Sequence, residues 1–232
     1  MGVDEEPMTM DAGFCPELQE LLALERISTT SPNNLRIITS LMKEKPAHTL
    51  ETGLASGGSA LAFTDSHRRN GAAPSRQHVA IDPLQESLFS NEGLRNIDRA
   101  GLSGYLDFRQ EIAALAMADL LRDGEKFDLI YLDGSHFFDE VLLDVYYSIR
   151  LLNDGGILLF DDSTIPDVAK VLRYLRRNQT QCLTEINLTG VHPTGRSIKY
   201  QLARLAGRAQ MTAFRRHGTF ERRDWNLRIV DF

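Results

Sequence analysis

Residues 51–59 read Glu51-Thr52-Gly53-Leu54-Ala55-Ser56-Gly57-Gly58-Ser59, and this stretch decides the fold. It follows the short apolar run from His48 to Glu51 and opens the helical spacing from Ser59 to His67, which makes it a strand-to-helix turn. Glycines at such a turn let a ligand approach the backbone, and the helix N-terminus offers unsatisfied N–H groups and the positive end of a dipole. The spacing is G-x-x-x-G-G, which differs from the G-x-G-x-x-G dinucleotide fingerprint and from the G-x-x-x-x-G-K-[ST] phosphate loop. Glu51 at the loop entrance would repel a pyrophosphate. A cationic ligand bearing an amino acid suits it better.

Outward from this turn, four more apolar runs end at acidic or glycine positions: His78 to Asp82, Tyr105 to Phe108, Asp128 to Leu132 and Gly156 to Phe160. Each reads as a buried strand. Between and around them lie segments with helical spacing: Leu35 to Lys43, Ile112 to Leu121, Val141 to Leu152 and Val168 to Arg177. Strands alternating with helices predict an α/β fold with a Rossmann-like, doubly wound, mostly parallel seven-stranded sheet. The Asp154-Gly155-Gly156 turn should end one helix and start the next strand. Cys182 to Leu188 and Ile198 to Leu205 alternate like a pair of strands and are expected to form an antiparallel C-terminal hairpin. A helix over Pro16 to Glu25 leads into a link, with Ser31 and Pro32 suited to starting the next helix. The expected organisation is a helical extension over 1–31, the main domain over 32–205 and a basic tail over 206–232.

The 232 residues are 42% hydrophobic and 25% charged, enough to bury a core. Asp4, Glu5 and Glu6 stand where a secretory signal would be basic, and no run approaches the roughly 18 apolar residues of a membrane span. Two cysteines far apart in sequence exclude a disulfide framework and a CxxC metal knuckle, and cytoplasmic thiols are expected. Residues 1–195 carry 17 Lys+Arg against 29 Asp+Glu, whereas residues 196–232 carry 9 against 3. An acidic body repels nucleic acid, and the basic tail is expected to pack against that body or a second subunit of a homodimer.

Four further positions carry the chemistry. Asp82 ends the second strand, where a carboxylate can accept both hydroxyls of a ribose, which favours an adenosine-containing cofactor. Gln110 and Glu111 follow the third strand at the same sheet edge, within reach of an adenine. Asp133 ends the fourth strand and Asp161 with Asp162 the fifth, so adjacent strands bring three carboxylates together. Such a cluster is usually relieved by a hard divalent cation, Mg, Ca or Mn rather than Zn. His136 lies three residues beyond Asp133, and an imidazole there could take a proton from a polarised hydroxyl near neutral pH.

Taken together, Glu51, Gly53, Gly57, Ser59, Asp82 and the paired strand ends resemble a class I S-adenosylmethionine-dependent methyltransferase. Within that class the chain is similar to the metal-dependent catechol and caffeoyl-coenzyme A O-methyltransferases and to the macrocin O-methyltransferase-like group, over roughly Pro32 to Asn178. The resemblance implies that Gly53, Gly57 and Ser59 hold the methionine part of the cofactor, that Glu51 supports the loop and that Asp82 binds the ribose. It implies that Asp133, Asp161 and Asp162 ligate a divalent metal, expected to be Mg, with Asp133 also beside the cofactor and the reacting atoms. The catechol enzymes place a lysine base three residues after the first metal ligand; here His136 stands there. The implied reaction is methylation of a hydroxyl on a small molecule. Acceptor contacts would come from Gly13 to Asn34, Ser163 to Asp167 and Gly190 to Gly195. Three other readings compete: a metal-free methyltransferase, a nucleotide-dependent oxidoreductase and a noncatalytic interaction protein working through its basic tail.

Overall fold

The computed structural model describes residues 13–24, 30–192, 197–198, 201–202, 209–218 and 229. Its seven strands are β1 (Thr49–Thr52), β2 (His78–Ile81), β3 (Leu106–Arg109), β4 (Phe127–Leu132), β5 (Leu152–Phe160), β6 (Leu183–Ile186) and β7 (Thr212–Arg216). Its helices are α1 (Pro16–Ala23), α2 (Pro32–Leu41), α3 (Gly58–Arg69), α4 (Glu92–Arg99), α5 (Ala113–Arg122), α6 (Phe138–Leu151) and α7 (Pro166–Asn178). The sheet runs β3-β2-β1-β4-β5-β7-β6; β1 to β5 pair in parallel, and β7 is antiparallel to both β5 and β6.

Period-two alternation assigns the strand side chains to two cores. Ala80, Tyr131 and Leu159 join α1 to α4 on one face, while Leu50, Ile81, Ile130, Leu158 and Phe160 join α5 to α7 on the other. A sheet covered on both faces needs apolar residues in both registers, which is why the strands read as continuous apolar runs. The strand order reverses between β1 and β4. Ligands of open α/β sheets bind at the carboxyl ends of such neighbours, where the outgoing chains diverge.

The C-terminal strand pair differs from the sequence expectation. The first member is β6, but the second is Thr212–Arg216, inside the stretch read as a tail, and not Ile198 to Leu205. Within that expected strand Ile198, Gln201 and Leu202 are helical, with Ile198 and Leu202 exposed, and the rest lies outside the described residues. Ala213 and Phe214 are buried between two paired neighbours, and a five-residue strand bearing two arginines leaves too short an apolar signature to stand out. The Asp154-Gly155-Gly156 turn is likewise absorbed: β5 begins already at Leu152, with a register shift against β4. Of the expected 206–232 tail, only 209–218 and 229 are described, and the Glu25 end of the first expected helix also lies outside.

Candidate active site

The loop after β1 is shaped by a contact that only glycine permits. Gly53 has φ +87°, and a Cβ there would fall 2.5 Å from the carbonyl oxygen of Asp133 and 2.8 Å from the Cα of Gly134. The β1 and β4 loops therefore touch backbone to backbone across the switch point. Gly57, φ +86°, is the left-handed cap that opens α3, and a Cβ there would press at 3.0 Å on Gly93 of α4. Gly57, Gly58 and Ser59 thus bring the α3 N-terminus to the same edge, with Ser59 buried.

Asp82 closes this loop from the β2 side. Its Oδ2 accepts from the amides of Leu54 (3.1 Å) and Ala55 (3.0 Å), and its Oδ1 from the amide of Leu84 (2.8 Å). Gln85 ties the same corner, donating to the Ala55 carbonyl and accepting from the Gly93 amide. Gln110, beyond β3, donates at 3.4 Å to Glu86 in the loop after Asp82; Glu111 follows it, half-buried. Of the expected adenine-side residues, Gln110 therefore borders the Asp82 loop.

The carboxylates at the ends of β4 and β5 divide into two groups. Asp133, His136 and Asp162 each present a donor atom within 4.8 Å of the others, with His136 Nε2 3.0 Å from Asp162 Oδ2. That nitrogen is buried and makes no aligned hydrogen bond. Asp161 is engaged by other partners. Its Oδ1 accepts from the Asn34 amide (2.8 Å) and the Asp162 backbone N–H (2.7 Å), and its Oδ2 from the Tyr131 hydroxyl (2.6 Å) and again Asn34 (3.0 Å). With about four lone-pair sites to offer, this carboxylate is saturated by protein donors. Tyr131 lies also 3.0 Å from Asp133 Oδ2, so one phenol bridges the two groups.

Burial, then the charge of Asp161, holds the Asp133 carboxyl well above the usual carboxylate range, with Asp162 and Glu51 adding to the effect and the Tyr131 hydroxyl opposing it. Burial also raises Asp161, against the hydrogen bonds that favour its charged form. The Tyr131 phenol stays protonated far above its ordinary range, first through burial and then through the two carboxylates. Crowded negative charge of this kind favours a cation.

Tyr131 is not among the expected site residues, and Asn34 enters only as the end of the expected acceptor segment Gly13 to Asn34. Asn34 reaches the site because Ser31 caps α2 by accepting from the Asn34 amide (3.3 Å), and the Ser-Pro start was the available signal. Tyr131 shows only as one more apolar position of β4.

Residues 50–163, which include the switch-point glycine loop, match the family described as "Methyltransferase domain". Among curated proteins the chain is similar to caffeoyl-CoA O-methyltransferase 2 of Zea mays, 28% identical with 69% of this chain and 62% of that one covered. Caffeoyl-CoA O-methyltransferase 1 of Eucalyptus globulus is 29% identical over 69% and 66%. The chain thus spans somewhat less than two thirds of the length of these relatives. Among solved structures, an O-methyltransferase from Bacillus cereus in complex with SAH superimposes with a TM-score of 0.65 at 15% identity, covering 87% of this chain and 90% of that one. The O-methyltransferase TomG from Streptomyces achromogenes, in complex with SAM, gives 0.63 at 16%, covering 90% and 91%. At these identities the structures bear on the fold, which they share.

Proposed function

We propose that this protein transfers the methyl group of S-adenosylmethionine to a hydroxyl of a small molecule, assisted by a divalent cation. The observation that carries this reading is the meeting of Asp133, His136 and Asp162 within 4.8 Å beside the glycine loop of the switch point. The cofactor would supply a methyl group already activated on a sulfonium. Gly53 and Gly57 would shape the loop that receives it, through their close packing on the β4 loop and on Gly93, Ser59 and the α3 N-terminus would lie along it, and Glu51 would support the loop. Asp82 would accept from the ribose with its remaining lone pairs, and Gln110 and Glu111 would border the adenine. A divalent cation such as Mg, held by Asp133 and Asp162, would supply the charge that makes a hydroxyl acidic and fixes its place.

The chain's own groups then govern the proton. His136 accepts it on a ring nitrogen as the carbon–oxygen bond forms and the carbon–sulfur bond breaks. Asp162, 3.0 Å from His136 Nε2, stabilises the imidazolium. Asp161, saturated by Tyr131 and Asn34, would act through the Tyr131 bridge to Asp133 instead of as a direct ligand.

The test is a panel of hydroxylated small molecules incubated with the protein, S-adenosylmethionine and Mg, read by mass spectrometry for methyl transfer. Product that disappears with EDTA and in Asp133→Asn supports the reading, whereas undiminished product in EDTA contradicts the cation's role.

A second reading of His136 is favoured by its buried, unaligned Nε2: the imidazole would be a third donor to the cation, and the proton would leave to solvent. Nitrogen hyperfine coupling to bound Mn, present in the wild type and absent in His136→Gln, would establish it. Its absence from the wild type leaves His136 as the base.

A further inference from the structure

Behind the cofactor loop lies a buried polar chain that the reaction does not use. Thr49, Glu51, His67 and His78 are all 0–1% exposed. The Thr49 hydroxyl sits 2.9 Å from His67 Nε2 and 2.9 Å from His78 Nδ1, and His78 Nε2 sits 3.2 Å from Glu51 Oε1. Phe63 of α3 stacks on the His78 ring with centroids 4.7 Å apart. The chain runs from α3 through β1 and β2 to the residue that opens the glycine loop.

Its donors and acceptors can be counted. A hydroxyl has one proton to give, so Thr49 donates to one imidazole and accepts from the other. Burial holds the His67 imidazole down to about 3, with the neighbouring His78 and His48 adding to this, so His67 is neutral and can donate from Nε2. At the far end both Glu51 oxygens are buried with no aligned hydrogen bond. A lone pair on His78 Nε2 facing them at 3.2 Å would set acceptor against acceptor, at the cost of an unsatisfied buried group. Opposite a Glu51 carboxylate, the arrangement that sets no acceptor against an acceptor has His67 Nε2–H donating to Thr49, Thr49 donating to His78 Nδ1, and the His78 proton on Nε2, which lies 3.2 Å from Glu51 Oε1 without an aligned hydrogen bond.

We infer that His78, held in this tautomer by Thr49 and His67, is a positioning residue for Glu51 and so for the S-adenosylmethionine loop. This rests on the proposed reading that Glu51 supports that loop. Glu51 is also close enough for its charge to act on Asp133, so a carboxylate released from His78 would disturb both halves of the site.

The experiment compares Thr49→Val, which keeps shape and deletes the hydroxyl, with Thr49→Ser, which restores it. In the full-length wild type, nitrogen NMR of labelled histidines should show His78 protonated on Nε2, and that signature should be lost in Thr49→Val and regained in Thr49→Ser. The dissociation constant for S-adenosylmethionine, read by calorimetry, should rise about tenfold in Thr49→Val, the size of one net hydrogen bond, and recover in Thr49→Ser. A His78 proton found on Nδ1 alone, or unchanged affinity in Thr49→Val, overturns the inference. If the wild type shows the Nε2 signature but binds no S-adenosylmethionine, the cofactor reading fails with it, although the hydrogen-bond chain itself stands.

Discussion

Tyr131 carries more of the site than any residue picked out by its sequence context. Its single proton serves Asp161 at 2.6 Å and its oxygen lies 3.0 Å from Asp133, and Tyr131→Phe would leave the buried Asp161 short of a donor and remove the bridge to Asp133. We expect that variant to lose about 1.5–3 kcal/mol of stability, seen as a lower midpoint in urea. Asp144 on α6 makes a second prediction. Burial, then the charge of Glu140, pushes its carboxyl up to about 7, with the Thr52 hydroxyl opposing. Between its unfolded value near 4 and about 7 the folded state binds more protons than the unfolded one. Stability therefore falls as pH rises through that window and levels off above it. Asp144→Asn removes this penalty, so the variant should gain up to about 4 kcal/mol over wild type at pH 8 and little at pH 5. Equal midpoints at pH 8 would contradict it.

At the scale of elements, the β1 and β4 loops form one unit because Gly53 lies against Asp133 and Gly134. Gly53→Ala would have to hold a left-handed backbone, costing about 1–3 kcal/mol before any clash, and its Cβ would wedge the two loops apart. Thermal melts should show the loss, and calorimetry should show S-adenosylmethionine binding weakened with it. The start of α2 is a second joint: Ser31→Ala deletes the cap that places Asn34 on Asp161, for a cost of about 1 kcal/mol in denaturant unfolding. This is also the scale at which the sequence was legible. The five parallel strands and the helices between them announce themselves because a doubly covered sheet demands apolar runs, and the acids stand at their carboxyl ends. Strand β7 did not, since its partners lie far back in the chain and two of its five residues are arginines. Helix α4 was hidden for a related reason: only Leu94 and Ile97 are large apolar residues in its eight. The split between a saturated Asp161 and an open Asp133, His136 and Asp162 was beyond the sequence, because it depends on which way neighbouring carboxylates turn.

Across the molecule, the charge imbalance acquires a structural meaning. Five acids, Glu51, Asp82, Asp133, Asp161 and Asp162, gather at one edge of the sheet, and a cation would offset part of the charge they bring. At the opposite end, Arg215 of β7 donates to the Gly155 carbonyl and lies 3.4 Å from Glu44, so this arginine pairs with the acidic body. No helix among the described residues is long and apolar enough to cross a membrane. We propose that the remaining basic residues serve a homodimer, which sedimentation should show dissociating as salt is raised. A monomer at low salt would contradict it. The most direct test of the central claim is calorimetry of the full chain with S-adenosylmethionine, S-adenosylhomocysteine and NAD. The account predicts a single site that binds S-adenosylmethionine, competition by S-adenosylhomocysteine and no response to NAD. Binding of NAD with none of S-adenosylmethionine would contradict it.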